Sequence, residues 1–197
     1  MTDEALMRAV RDGDVARLGE LFERHHRSVF DFLVRMTGDR ASAEDMVQDV
    51  FVRMLKYRAT FRDDGRFETW MFRIARNARA DYFRTRHTAA EVTDEDVDAP
   101  AEAEGPAALL EREQHLVYLS RALLLIREDR RELIVLGRYR GMKYEQIADL
   151  LDVDVGTVKV RMHRAIKELR ETFLRLTHGS GTQPCDAKTP PRRLQII

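Results

Sequence analysis

The sequence predicts an all-α protein of two small helical domains joined by an acidic flexible linker, the second containing a helix-turn-helix. Three observations lead there. Apolar residues recur at three- and four-residue spacing through two long stretches. The 10 Gly and 5 Pro fall mostly outside those stretches. Between them lies AAEVTDEDVDAPAEAEGP, which is rich in Ala, Asp and Glu and poor in the large apolar side chains that could offset the entropy of ordering. The expected boundaries are residues 1–88, a linker over 89–106, a second domain over 107–177, and a disordered Gly/Pro/Thr-rich tail over 178–197.

Composition narrows the class. Hydrophobic residues are 44% of the 197 and charged residues 35%, enough apolar material for a core. No apolar run approaches the ~20 residues of a membrane span. The opening MTDEALMRAVRDGD has no signal-peptide core, so a cytosolic, soluble chain is expected. The lone Cys185 excludes an internal disulfide framework and a Cys-clustered zinc site. No cofactor or metal is expected. The balance of 34 basic and 34 acidic side chains hides an asymmetry. Residues 1–88 carry 17 basic and 15 acidic, 89–115 one and nine, and 116–178 thirteen and nine. Two mildly basic blocks therefore flank an acidic segment, which reads either as a solubilising spacer or as an acidic mimic that keeps basic surfaces off non-specific DNA.

In the first block a short helix is expected over residues 3–11. A longer one carries Val15, Leu18, Phe22, Val29, Leu33 and Met36 on its apolar face and stops at Gly38, with Asp39 as a cap for the next. That next helix has Met46, Val47, Val50, Phe51, Met54 and Leu55 inward. A third, after the polar break TFRDDGR, has Phe67, Trp70, Met71, Ile74, Ala78 and Tyr82 inward. Their outward faces differ in chemistry. Asp45, Gln48, Asp49 and Val52 form one stripe, either a solvated face or a docking strip for a basic helix. Arg73, Arg76, Asn77, Ala80 and Arg84 form another, with Arg62, Arg66 and Arg86 near its ends. Arginines beside aromatic rings suit a nucleic-acid strand, the guanidinium groups for phosphates and the rings for unstacked bases. Phe61, Phe72 and Phe83 lie off the apolar stripe and are the rings weighed for base contact.

In the second block Gly105-Pro106 reads as a helix start. The helix runs through Leu109, Leu110, Leu116, Val117, Leu123 and Leu124 to about Arg127, and another spans about Asp129 to Tyr139. A helix of about eight residues from Tyr144 then turns at Asp152-Val153 into a long helix capped by Asp154, with Val158, Met162, Ala165, Leu169 and Phe173 inward. Small Ala148 permits a close crossing, and Val158 fills the angle. Asp152 stands where a left-handed residue is needed, and Asp tolerates that conformation. The outward face carries Thr157, Lys159, Val160, Arg161, His163 and Arg164, about 10 Å of helix, a length that suits about three base pairs of major groove. The bland alternative is a helical hairpin with a solvated basic face.

Three segments resemble, in order, the compact extracytoplasmic-function (ECF) group of RNA polymerase sigma factors: AEDMVQDVFVRML (43–55), FETWMFRIARNARADYFR (67–84) and RRELIVLGRYRGMKYEQIADLLDVDVGTVKVRMHRA (130–165). The resemblance covers about residues 5–88 and 107–176. It implies that Asp45, Gln48, Asp49 and Phe51, with Val52 on the same strip, bind core RNA polymerase. It implies that Phe61, Arg62, Arg66, Arg73, Arg76, Asn77 and Arg84 act on the −10 element as the duplex opens. It implies that Thr157, Lys159, His163 and Arg164 read the −35 element, and Val160 and Arg161, on the same outward face, are assigned with them. Val160 stands where many relatives have Ser, Lys143 where Ser often caps, and Arg127 where Pro is common. The implied partners are core polymerase, promoter DNA and an anti-sigma factor, which relatives often have and which no residue here identifies. Residues 87–106 reach at most ~65–70 Å when extended, and boxes about 17 base pairs apart lie ~58 Å apart, so the linker just spans them.

An enzyme is not expected. Glu44, Asp45 and Asp49 share no face with a histidine, His25 and His26 point in different directions on a helix, and no Gly-rich phosphate loop or nucleophile motif appears. A free-standing helix-turn-helix regulator is the alternative reading, and it leaves the Asp45 and Arg73 stripes without a task.

Overall fold

The computed structural model describes residues 1–89 and 107–179. The expected linker beyond Ala89, the Gly105-Pro106 start, and the expected tail beyond Gly179, Cys185 included, lie outside the described residues. Those residues are helical throughout, apart from short connections.

The first half is a four-helix bundle. Thr2 caps α1 (Asp3–Arg11) by accepting from the Ala5 N–H at 3.3 Å. Helix α2 (Arg17–Thr37) ends at Gly38, whose φ of 79° is the left-handed stop anticipated from the sequence. Asp39 then caps α3 (Arg40–Lys56), accepting from the Ala41 and Ser42 N–H groups at 2.9 and 3.3 Å. A single 3-10 turn (Arg58–Thr60) leads to α4 (Phe67–Ala89). Leu6, Leu21, Phe32, Leu33, Met46, Val50, Met54, Phe67 and Met71 close one core.

In the second half α5 (Ala107–Leu125) and α6 (Glu128–Ile134) precede a π-helical turn (Val135–Tyr139), α7 (Tyr144–Leu151) and α8 (Val155–Gly179). The π turn is the one element that the single helix expected to Tyr139 did not foresee. Lys143 lacks a side-chain acceptor, and the α7 entry is secured instead by Gln146 Oε1, which accepts from the Lys143 N–H at 2.8 Å. Asp152 adopts φ 54°, ψ 51°. Asp154 caps α8, its Oδ1 accepting from the Thr157 N–H at 2.8 Å, and this hydrogen bonding to Thr157 holds its carboxyl below the ordinary range. Ala148, Val158, Met162 and Ala165 are buried at the crossing of α7 and α8, as the spacing requires.

The two halves touch. Helix α7 lies against α4, and α5 and α6 against α2. Arg131 donates to the Met36 carbonyl at 2.5 Å, in the last turn of α2, where a cation suits the helix dipole. The Arg35 guanidinium lies 4.4 Å from the Tyr139 ring centre, and that of Arg140 5.7 Å from that of Phe72.

Several residues depart from the expected faces. Phe72, weighed for base contact, is fully buried, edge-on to Phe32 at 5.2 Å, because α4 is covered on two sides rather than one. Phe61, assigned to the −10 element, is also a correction. Its ring is 2% exposed and packs edge-on to Trp70 at 5.4 Å, while Arg11 donates to its carbonyl at 3.2 Å. It follows a turn, outside any helical stripe, so periodicity says nothing about where it points. Trp70 and Tyr82 are half-buried, and Val15, Phe22 and Leu116 are exposed instead of inward. Leu21 and Phe32 take the buried positions on α2.

Asp152 gives a direct test of the helix-turn-helix backbone. A β-branched residue in the left-handed region is strained where Asp is tolerated. Asp152→Val should lower stability in urea by about 1–2 kcal/mol, and Asp152→Gly should leave it within about 0.5 kcal/mol. Equal midpoints for all three chains would refute the left-handed assignment.

Candidate functional site

The sequence singles out three surfaces, and each has a different state in the folded chain. The first is on α3. Because Met46, Val47, Val50 and Met54 are inward, Asp45, Gln48 and Val52 face solvent, and Val52 is 64% exposed. Asp49 is half-buried and already engaged. Arg53 Nε donates to its Oδ2 at 2.8 Å, and Arg53 Nη1 donates to Asp81 on α4 at 2.6 Å. That bridge ties the strip to α4 and holds the Asp81 carboxyl below the usual range. Phe51 corrects the expectation that it belongs to this surface. It is 6% exposed and edge-on to Phe22 at 4.9 Å, so it supports the strip from beneath. The result is an exposed apolar residue ringed by acid and amide groups, a chemistry that fits a basic, partly apolar helix.

The second surface is the arginine stripe of α4 with the loop before it. Arg62 and Arg66 are exposed, and Arg62 chelates Asp64 at 3.0 and 3.1 Å. Arg11 anchors the loop through Asp63 at 2.8 Å. Asn77 is exposed. Arg84 donates to Asp81 at 2.7 Å. Arg73 and Arg76, expected to be open, are met by the second half: Arg73 by the Asp149 carbonyl at 2.7 Å and Arg76 by Glu132 at 2.9 Å. Arg79, which the sequence left without a role, joins them through Glu128. The acids of α6 and α7 at this seam are partners that sequence reasoning missed. The i, i+4 spacing of Glu128 and Glu132 was visible, but only the tertiary contact shows what it faces.

The third surface is the outer face of α8. Lys159, Val160, Arg161, His163 and Arg164 are all exposed, and none forms an ion pair among the described residues. Thr157 differs from the expectation for a reading residue, because its hydroxyl donates to Asp154 within the cap and it is half-buried. Capped at its start and packed by Val158, Met162 and Ala165, α8 presents a rigid cationic ridge with one apolar patch at Val160. Such a ridge can neutralise phosphates and meet base edges in a major groove.

Among the described residues no cluster of His, Cys, Asp and Glu is arranged to hold a metal ion, and no helix is long and apolar enough to cross a membrane.

Comparison with known proteins matches both halves of the chain. Residues 21–88 match the family model for sigma-70 region 2, and residues 116–169 the model for sigma-70 region 4. The sequence is 34% identical over 166 residues to the RNA polymerase sigma factor CarQ of Myxococcus xanthus, covering 84% of this chain and 94% of that one. It is 30% identical over 176 residues to the ECF RNA polymerase sigma-E factor of Escherichia coli K12, covering 84% and 91%. Among solved structures, CnrH in complex with the cytosolic domain of CnrY superposes with a TM-score of 0.65 at 24% identity, over 91% of this chain and 99% of that one. RpoE of Bartonella quintana, solved with the anti-sigma factor NepR, gives 0.63 at 23%, over 79% and 96%. At those identities the structural likenesses speak for the fold alone.

Proposed function

The chain belongs to the sigma-70 family of RNA polymerase sigma factors, in its ECF group, and from that premise we propose which of its surfaces perform each part of the family's task. A sigma factor directs core RNA polymerase to promoters and is not itself an enzyme. The observation that carries the assignment is the contrast between the three surfaces: an exposed valine among acids on α3, an arginine stripe on α4, and a rigid unpaired cationic ridge on α8.

In this reading Asp45, Gln48 and Val52 dock on core polymerase, with Asp49 pre-oriented by Arg53 and Phe51 acting only through packing. Arg62, Arg66, Arg73, Arg76, Asn77 and Arg84 engage the −10 strand as it separates. Lys159, Val160, Arg161, His163 and Arg164 read the −35 element, and Thr157 holds the start of the reading helix. Promoter DNA is thus contacted by both domains, the first over residues 1–88 and the second over 107–177, with residues 89–106 spanning between. The work is done where polymerase is, in the cytoplasm. A regulator of the anti-sigma class, such as the one bound in the Bartonella quintana structure, is the proposed inhibitor.

Lys159→Ala and Arg164→Ala remove exposed side chains with no intramolecular partner among the described residues, so stability should change by less than about 0.5 kcal/mol. Promoter-directed transcription should fall by the equivalent of roughly 1–3 kcal/mol per lost base contact, with relaxed sequence preference there. Unchanged output from a mapped promoter would remove α8 from this role. Asp45→Arg with Gln48→Ala should keep the helicity and weaken core binding by about fivefold or more, through like-charge repulsion. Competition for core polymerase measures it. Tight sequence-specific DNA binding without core, unaffected by the pair, would favour a free-standing regulator instead. Asn77→Ala should impair opening of duplex promoter more than use of a pre-melted bubble, because an extruded base edge is what Asn can read. Permanganate reactivity reports the opening, and normal reactivity in the variant holoenzyme would count against the assignment.

A further inference from the structure

The crest of α8 carries a valine. Val158, Met162 and Ala165 fix the inward side of this helix, each at most 1% exposed. At about 100° per residue, Val160 then points within roughly 15° of the opposite direction, straight away from the core. His163 and Arg164 lie about 50° to either side of it, and both are exposed. Val160 itself is 52% exposed, more than any other large apolar side chain of α8. Its neighbours three and four residues away on the helix surface are Gly156, Thr157, His163 and Arg164, and none offers an apolar side chain to cover it. As a β-branched residue it lowers helix propensity slightly. Fold stability therefore gives no reason for a valine at this place. Its geometry is nonetheless well defined. Valine has one dominant χ1 rotamer in a helix, so its methyl groups are held in position. The helix beneath is held by the Asp154 cap on the Thr157 N–H at 2.8 Å and by the buried Val158. Gly156, exposed and one turn earlier on the same line, adds no side chain that would stand in front of it.

We propose that Val160 is a base-specifying contact, packing on the C5 methyl group of one thymine in the −35 element and selecting a T·A pair at that position. The inference rests on the assignment of the α8 ridge to the −35 duplex. A valine side chain neither donates nor accepts a hydrogen bond. Among the major-groove edges of the four bases, thymine alone presents an apolar group, its C5 methyl. Methyl against methyl removes both from water without stranding a polar atom. Opposite another base, the same close approach covers the N4 amine of cytosine, the N6 amine of adenine or the O6 of guanine with a side chain that cannot answer it. The preference thus has two sources, a gain at thymine and a penalty elsewhere. A hydroxyl at this place would serve several bases, since it can donate or accept. The cations beside Val160 have a different task. They neutralise phosphates and hold the ridge in the groove, and the crest between them meets the base edge.

The test uses holoenzyme, the full chain bound to core polymerase, on duplex DNA of a mapped promoter. Each thymine of the −35 element, on either strand, is replaced in turn by deoxyuridine, which removes the methyl group and keeps every hydrogen-bonding group. Competition against the unmodified duplex measures affinity. The expected result is one position at which loss of the methyl weakens binding by about three- to tenfold. Val160→Ala and Val160→Ser should bring thymine and uracil at that position to within about twofold of each other and leave the remaining positions as they are. Circular dichroism checks that both variants keep their helices. Lys159→Ala and Arg164→Ala report separately on the ridge as a whole. If those two weaken binding but no position responds to the methyl, or the element holds no A·T pair, the inference is overturned and the −35 assignment stands. A methyl-sensitive position that stays so in both Val160 variants also overturns it, because another side chain then covers the thymine. If none of the four variants changes binding or sequence preference, the inference falls through its premise, because α8 is then not the reading helix.

Discussion

Helix α4 is covered by both halves of the chain and must satisfy both with one sequence. Toward α3 it offers Phe67, Met71, Ile74 and Ala78, an ordinary apolar stripe. Beyond that stripe Phe72 and Ala75 are also buried, Phe72 against Phe32 of α2, while Arg73, Arg76 and Arg79 meet α6 and α7. The second demand is met in mixed currency. Phe72 fills space against Phe32 and beneath Arg140, while the arginines find carboxylates and a carbonyl. A buried guanidinium without such partners would carry a heavy desolvation penalty, so the placement of Glu128 and Glu132 is a condition for this packing rather than an addition to it. The rest of the closed form follows. Once α6 and α7 lie on α4, Arg131 reaches the end of α2, and Leu124 comes to 3.0 Å from where a side chain on Gly38 would begin.

This double cover also marks the limit of what the sequence could tell. Periodicity found the elements because each helix has one dominant apolar face and clear stops: Gly38 and Asp39 between α2 and α3, Asp152 and Asp154 around the helix-turn-helix turn. The α8 ridge was legible for the same reason, since one face is packed and the other is free. Phe72 and Phe61 were not. The first is buried by a tertiary neighbour that local pattern cannot see, and the second sits in a turn where no period applies. Phe51 was drawn to the polymerase surface by its motif neighbours, although its position in the apolar stripe already placed it inward. Arg73 and Arg76 were rightly set on an outward stripe, yet outward on an isolated helix is not the same as open in the folded chain.

The two basic faces thus differ in kind despite similar composition. On α8 the cations belong to a helix whose charge is unanswered nearby. On α4 nearly every cation of the stripe has an answer within the chain, from Asp81 below to Glu128, Glu132 and Asp149 above. Unanswered charge favours early, long-range attraction to DNA, with rate and affinity that fall as salt rises. Answered charge resists non-specific capture, because a strand must first displace a carboxylate that is already in hydrogen-bonding position.

Under the proposed assignment of α8 to duplex and α4 to the separated strand, that difference matches the order of events that promoter opening imposes. Duplex is available from the start, so the face that reads it gains by being permanently presented. Single-stranded DNA exists only after melting, so a face that binds it gains nothing from early exposure and risks sequestering the chain on any free strand. Rigidity is distributed accordingly. The start of α8 is fixed by Asp154, by Thr157 and by three buried contacts, whereas the α4 seam is held by ion pairs whose partners are mostly at the edge of solvent. A cap inside one helix cannot be released without unfolding that helix. A seam between two halves can be released by separating them, although the apolar cluster that runs through both is parted with it.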